Sequence, residues 1–220
     1  MRHFVFLVKF RDDMVNIQTL RETIIERLKT EDLVQIPASE AEYLAVAEQL
    51  PFKVEYHHSE IVTMGLASYW HEVLVMTIGG IFYNLFANNE EFTVLGSNSG
   101  IQIPKFEGGY YLPDVMVVKG EPVFKPNSSA IITNPHLVIE ILSPSTNKFD
   151  RESKLPEYKH LESLQQIIFV NQKKVGISSY LRSNQPNTWI NQDFYSLEDV
   201  ILIEGQEVLI KDIYQKIKFE

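Results

Sequence analysis

Apolar side chains in the first fifty residues recur near helical spacing. Between Asn16 and Lys29 these are Ile17, Leu20, Ile24, Ile25 and Leu28, with Asn16 as a candidate cap. Ser39 followed by Glu42 is a capping-box pattern, and it predicts a short helix through Tyr43, Leu44 and Val46 that has ended by Pro51. From Phe52 the period changes to two: Phe52, Val54 and Tyr56 alternate with Lys53 and Glu55. His57-His58-Ser59 reads as a turn into Ile61-Val62-Thr63, which makes a hairpin. A long helix is predicted over Ser68 to Asn88, carrying Val73, Leu74, Ile78, Ile81, Phe82 and Leu85. Gly79-Gly80 interrupts it and offers close packing against a sheet.

The later pattern is richer in strands. Phe92 to Leu95, Gly100 to Ile103, Asp114 to Val118 and His136 to Leu142 are short apolar runs bounded by turn residues. Phe149 to Leu161 has helical character, with Pro156 expected to kink or restart it. Ile167 to Asn171, Gly176 to Arg182 and Asn187 to Gln192 follow as strands. Val200 to Ile203 and Val208 to Ile210 form a hairpin around Glu204-Gly205-Gln206. Helices first, then strands with one intervening helix, predict an α/β or α+β fold built on a mixed sheet.

At 220 residues the chain fits one domain with a sizeable core, and no repeat or linker divides it. It contains no cysteine, which excludes disulfides, thiolate zinc sites and thiol nucleophiles. Met1 to Phe10 holds an apolar stretch too short for a signal-peptide core or a bilayer span, so the expected address is cytoplasmic, with no membrane partner. A net charge of −9 argues against a protein that coats nucleic acid through bulk charge. An enzyme with a local groove and a metal ion stays compatible with it.

The candidate chemistry lies in two carboxylates. Asp114 follows Pro113 at the head of one apolar run, and Glu140 sits inside another, Leu137 to Leu142. An ionised carboxylate among aliphatic residues loses hydration on folding and needs a partner or a metal. If the two strands are neighbours, Asp114 and Glu140 can share a magnesium or manganese ion, with the backbone carbonyl of Ile141 as a third oxygen ligand. The alternative is a turn-forming Asp114 and a Glu140 paired with lysine or arginine. Ser143-Pro144-Ser145-Thr146 then leads into a helix on which Asp150, Lys154 and Tyr158 share one face. Lys154 is the candidate cation of a phosphodiester-cleaving site; an exposed Asp150–Lys154 pair is the plainer alternative.

The run "PDVMVV" and the longer "LVIEILSPSTNKFDRESKLPEYKHLESLQQIIFV" resemble the Uma-two family, as do "FKVEYHHSEIV" and "SYWHEVLV" upstream. That family belongs to the PD-(D/E)-x-K nucleases. The resemblance spans roughly residues 40 to 182. It implies a restriction-endonuclease-like fold, a central mixed β-sheet flanked by helices, with a helical segment over about residues 1–50 and the nuclease-like core over about 51–195. It implies a magnesium-dependent endonuclease acting on DNA. Asp114 and Glu140 would be metal ligands, Glu55 a third acidic member, Lys154 the helix-borne lysine and His71 an accessory histidine. The superfamily's usual lysine position, two residues after the glutamate, is Leu142 here. The hairpin turn lacks the family's glycine, and Gln166 stands where glutamate is common. Two rival functions remain open: a catalytically inactive binding module on the same fold, and a hydrolase of small phosphoesters. A homodimer is expected for double-strand cleavage.

Taken without the resemblance, Glu55 reads as a surface glutamate and His71 as a helix-start histidine. His57 and His58 are adjacent on a strand, which predicts side chains on opposite faces and argues against zinc. Tyr110-Tyr111 either stack on bases or pack in the core, and Lys173-Lys174 either touch phosphates or form a solvated turn. Neither a G-x-S-x-G nucleophile nor a phosphate-cradling glycine loop occurs; Gly108-Gly109 lacks the lysine and helix that should follow.

Overall fold

A computed structural model describes residues 17–105 and 109–219. The proposed cap Asn16, the Met1–Phe10 stretch and Gly108 lie outside the described residues. The chain divides into two compact units. The first takes the chain up to Leu66 with the short stretch that ends at Tyr110, and the second takes the remainder.

In the first unit, α1 (17–27) buries Ile24 completely. An unexpected strand follows, β1 (Leu33–Pro37), whose closing proline suits a strand terminus. Helix α2 (Glu40–Ala47) carries the expected capping box: Glu42 N–H donates to Ser39 Oγ at 3.3 Å, and Ser39 N–H donates to Glu42 Oε2 at 2.7 Å. Strands β2 (Val54–His57) and β3 (Glu60–Met64) form the predicted hairpin, and β1 pairs antiparallel with β3.

The hairpin turn is tighter than expected. His57 belongs to the strand, and only His58 and Ser59 make the turn, with φ of 48° and 63°. Both central residues thus have the left-handed backbone of a type I′ turn, whose twist matches the flanking strands. The change of backbone also removes the expected separation of the two histidines. Their rings meet edge to face with centroids 4.2 Å apart, because alternation holds only while both residues are extended. Tyr43 stacks on Tyr56 and Tyr110 at 5.1 and 5.2 Å. Burial, reinforced by the charges of Glu55 and Glu40, pushes the Tyr43 hydroxyl pKa well up.

In the second unit, α3 (Tyr69–Phe86) starts at Ser68, whose Oγ accepts from His71 N–H at 3.2 Å. Strands β4 (Phe92–Gly96) and β5 (Gly100–Gln102) come next, then the two-residue β6 (Tyr110–Tyr111), inside which the unit boundary falls. They are followed by β7 (Val115–Lys119), β8 (Ile131–Ile132) and β9 (Pro135–Leu142). A helical segment runs through α4 (Asn147–Phe149), a π turn over Asp150–Lys154, and α5 (Leu155–Tyr158). Then come β10 (Gln166–Asn171), β11 (Ile177–Arg182), β12 (Trp189–Phe194), the hairpin β13 (Val200–Ile203) with β14 (Gln206–Leu209), and α6 (Ile210–Tyr214). Ile210 was expected to end a strand. It opens α6 instead, because Ile210, Ile213 and Tyr214 bury one apolar face at helical spacing.

The main sheet has the order β12-β11-β10-β9-β7-β4. Strands β9 and β10 are parallel and the other pairs antiparallel, so the sheet is mixed, as the sequence predicts. The helical segment from Asn147 is the crossover that a parallel pair requires. All eight residues of β9 are buried, which explains its unbroken apolar run: a central strand is covered on both faces. On one face Leu74, Val75, Ile78, Phe82 and Phe86 of α3 join Val115, Val117, Leu137, Ile139 and Ile141 in the core. Each such side chain contributes roughly 1.5–3 kcal/mol over an exposed one.

The expected role of Gly79-Gly80 does not hold. A Cβ built at either position meets no described atom within 4 Å, so neither glycine serves close packing among the described residues. No helix among the described residues is long and apolar enough to cross a membrane.

Candidate active site

Asp114 stands one residue before β7, at the end of its ladder with β9. The antiparallel register pairs Val115 with Ile139, so Asp114 and Glu140 are the next residues along it. The ladder thus brings both carboxylates to one end of the sheet. Asp114 is fixed from three sides. Its N–H donates to the Ile139 carbonyl at 3.1 Å, its Oδ2 accepts from Ile141 N–H at 2.8 Å, and its Oδ1 lies 3.2 Å from His71 Nε2. The side-chain oxygen of Ser68 that caps α3 is what orients the turn presenting His71. In an extended residue the N–H and C=O point to the same strand edge. The carbonyl of Ile141 is therefore directed to the edge on which Asp114 lies.

Glu140 meets the crossover helix. Its Oε1 accepts from Tyr158 Oη–H at 2.6 Å and from Lys154 Nζ at 3.2 Å. Lys154 Nζ also lies 3.1 Å from Asp150 Oδ1, as an ion pair without hydrogen-bond directionality. All four side chains are buried; Lys154 is 2% exposed. The Asp150–Lys154 contact is therefore not the exposed helical pair that spacing alone would allow. The π turn makes this inward face possible. Pro156 has no N–H for the carbonyl of Glu152 one turn back, and its ring crowds that carbonyl. The widened turn before it relieves the conflict and leaves Asp150, Lys154 and Tyr158 all facing inward.

Two further buried groups join this cluster: Tyr111, read in the sequence only as a base platform or a core side chain, and Glu157, which the sequence did not single out. Tyr111 Oη–H donates to Glu157 Oε2 at 2.5 Å, and the Tyr111 ring meets that of Tyr158 edge-on at 5.5 Å. Glu157 carried no signal in the sequence, because it falls off the Asp150, Lys154 and Tyr158 spacing and nothing local marks it as buried. Tyr110 and Tyr111 are both buried, so they are core side chains and not platforms for bases. Leu142, at the position of the superfamily's usual lysine, is buried as well, and Lys154 reaches Glu140 from the helix instead.

Beside the carboxylates, Ser143 Oγ bonds Ser145 Oγ at 2.8 Å and Thr146 Oγ1 at 3.1 Å, which closes the Ser-Pro-Ser-Thr turn. Ser68 Oγ reaches Gln172 Oε1 at 3.3 Å. Gln166 lies buried on β10, donating to Ser179 Oγ and the Leu202 carbonyl. Lys173 and Lys174 are exposed in the β10–β11 turn, where their N–H groups donate to Asn171 Oδ1. Glu55 belongs to the first unit, on β2. It is fully buried, so the reading of a surface glutamate is wrong: the face of β2 that carries it is covered.

The second unit's mixed sheet and its covering helices have the restriction-endonuclease-like fold. A crystal structure titled as a putative nuclease belonging to DUF820 from Anabaena variabilis ATCC 29413 superposes with a TM-score of 0.63 at 16% identity. That match covers 81% of this chain and 98% of the other. The chain belongs to the Uma2 family, whose model, described as "Putative restriction endonuclease", matches residues 40–209. Two relatives come from Synechocystis sp. (strain ATCC 27184 / PCC 6803 / Kazusa). Uncharacterized protein sll1609 is 33% identical over 140 residues, 64% of this chain and 78% of its own length. Uncharacterized protein slr1290 is 31% identical over 182 residues, 82% and 93% respectively.

Proposed function

We propose that this protein is a divalent-metal-dependent endonuclease that hydrolyses phosphodiester bonds in DNA. What supports the reading is that Asp114 and Glu140 stand at the same end of the β7–β9 ladder, with the ammonium of Lys154 buried against Glu140. Membership of a family described as "Putative restriction endonuclease" supports it.

The donor set fits magnesium or manganese. Asp114, Glu140 and the Ile141 carbonyl offer hard oxygens only, and Asp114, Glu140 and Asp150 outnumber the single buried ammonium of Lys154 among these side chains. A bound ion would lower the pKa of a coordinated water and offset charge on the phosphate. The chain's own groups do the rest. Tyr158 and Lys154 fix the Glu140 carboxylate, while Ile141 N–H and His71 fix that of Asp114. Lys154 supplies positive charge beside the phosphate.

Incubating the protein with labelled DNA and added Mg²⁺ tests the reading. Cleavage is expected, and its loss in Asp114→Ala and Glu140→Ala with circular dichroism unchanged. Metal binding without cleavage of any DNA or RNA form would leave the inactive binding module, which the net charge of −9 favours. Turnover of small phosphoesters alone would leave the third function. Cutting both strands calls for two sites, so the reading includes a homodimer; a monomer in light scattering removes that part. A cytoplasmic place of action belongs to the same reading.

A further inference from the structure

We infer that Tyr111, anchored by Glu157, is a positioning residue that holds Lys154 and Tyr158 against Glu140; this rests on the nuclease reading of the site. Glu157 is a buried carboxylate to which the chemistry above gives no task. Burying a carboxylate is costly, and an apolar pair of similar size would serve packing as well or better. Its geometry points to another purpose. Glu157 Oε2 takes the Tyr111 hydroxyl proton at 2.5 Å, a short, charge-assisted hydrogen bond between groups 4% and 0% exposed.

That bond fixes the plane and depth of the Tyr111 ring, which then lies beside both groups that meet Glu140. Its face lies 5.9 Å from Lys154 Nζ, within cation–π range, and Phe149 approaches the same ammonium at 5.7 Å. The Tyr158 ring stands edge-on to it, with an interplanar angle of 76°. A phenol that donates to a carboxylate has a more electron-rich ring, so the anchor also strengthens the attraction for the ammonium. Tyr111 lies three residues before Asp114, and Glu157 lies on the helix that carries Lys154 and Tyr158. The Tyr111–Glu157 bond thus ties the segment leading into one carboxylate to the helix that fixes the other.

Three variants test this: Tyr111→Phe keeps the ring without the hydroxyl, Glu157→Gln keeps an acceptor without the charge, and Tyr111→Leu removes the ring. Removing a group that orients a site residue costs about 10-fold or more in activity, so Tyr111→Phe should lower kcat about 10-fold. KM should stay within about two-fold, since uniform binding is untouched, and Glu157→Gln should be milder. A second readout does not depend on cleavage. Pulse acetylation followed by mass spectrometry, well below the melting temperature, should label Lys154 slowly in the parent protein and faster in Tyr111→Leu and Tyr111→Phe. Exposed Lys148 is the internal standard. If Lys154 labelling is unchanged, or rises while kcat stays at the parent value, the inference is overturned. If the parent cleaves nothing but labelling rises as expected, the nuclease reading fails and the positioning of Lys154 stands. Should Tyr111→Leu not fold, the two conservative variants still decide.

Discussion

Lys154 shows how differently one residue behaves in a spacing argument and in a fold. As an i, i+4 partner of Asp150 on an open helix it would contribute a few tenths of a kcal/mol. Buried between Asp150 and Glu140, it neutralises charges that could not otherwise leave water. Tyr214 gives a case that can be titrated. Its hydroxyl proton is shared between the carbonyls of Asn171 and Gly176, with Oη 2.9 and 3.0 Å from them, and burial pushes its pKa well up. The raised folded value means that, above the ordinary tyrosine pKa near 10, the unfolded chain releases a proton that the folded chain keeps. Its contribution to stability is complete below that pH and is lost as pH rises through the folded value. Urea melts at rising alkaline pH should therefore show a steeper fall for the parent than for Tyr214→Phe. Equal slopes would show that Tyr214 is not the group responsible.

At the scale of elements, the glycines of α3 are the clearest departure from expectation. Gly80 is exposed in mid-helix, its backbone is helical, and a Cβ there meets nothing described. Replacing it with alanine should stabilise the protein by about 0.5–1 kcal/mol, since alanine loses less backbone freedom on folding. A denaturation midpoint unchanged or lowered in Gly80→Ala would overturn the reading of this position as open. The crossover helix departs in the opposite sense. Pro156 is a local fault in helical terms, yet the π turn it accompanies is what faces Asp150, Lys154 and Tyr158 toward Glu140.

For the molecule as a whole, the proposed metal site makes stability depend on magnesium. A ligand that binds only the folded state adds about 2.7 kcal/mol at a concentration 100 times its Kd. The melting temperature should therefore rise with Mg²⁺ in the parent protein and not in Asp114→Ala. Differential scanning fluorimetry across a magnesium series, with potassium chloride matched for ionic strength, would read this directly. Equal shifts in both proteins would place the bound metal somewhere other than at Asp114.

The residues alone determined the local elements wherever a physical signature was strong. The Ser39–Glu42 capping box, the period-two hairpin, the long helix after Ser68 and the unbroken apolar run of β9 are each specified by neighbours in sequence. The candidate carboxylates were legible for the same reason, because a glutamate inside such a run has to be compensated. Elements with short or mixed signals were not legible: β1 with its closing proline, and α6 with one turn and a half of apolar spacing. Tertiary structure alone decided that Asp114 and Glu140 stand at the same end of one strand ladder, since strand register depends on pairing between distant segments. It also decided that Glu55 is buried, that the two histidines touch, and that Glu157 and Tyr111 join the cluster around Lys154. Those facts depend on what covers a face, and a run of residues does not state what will cover it.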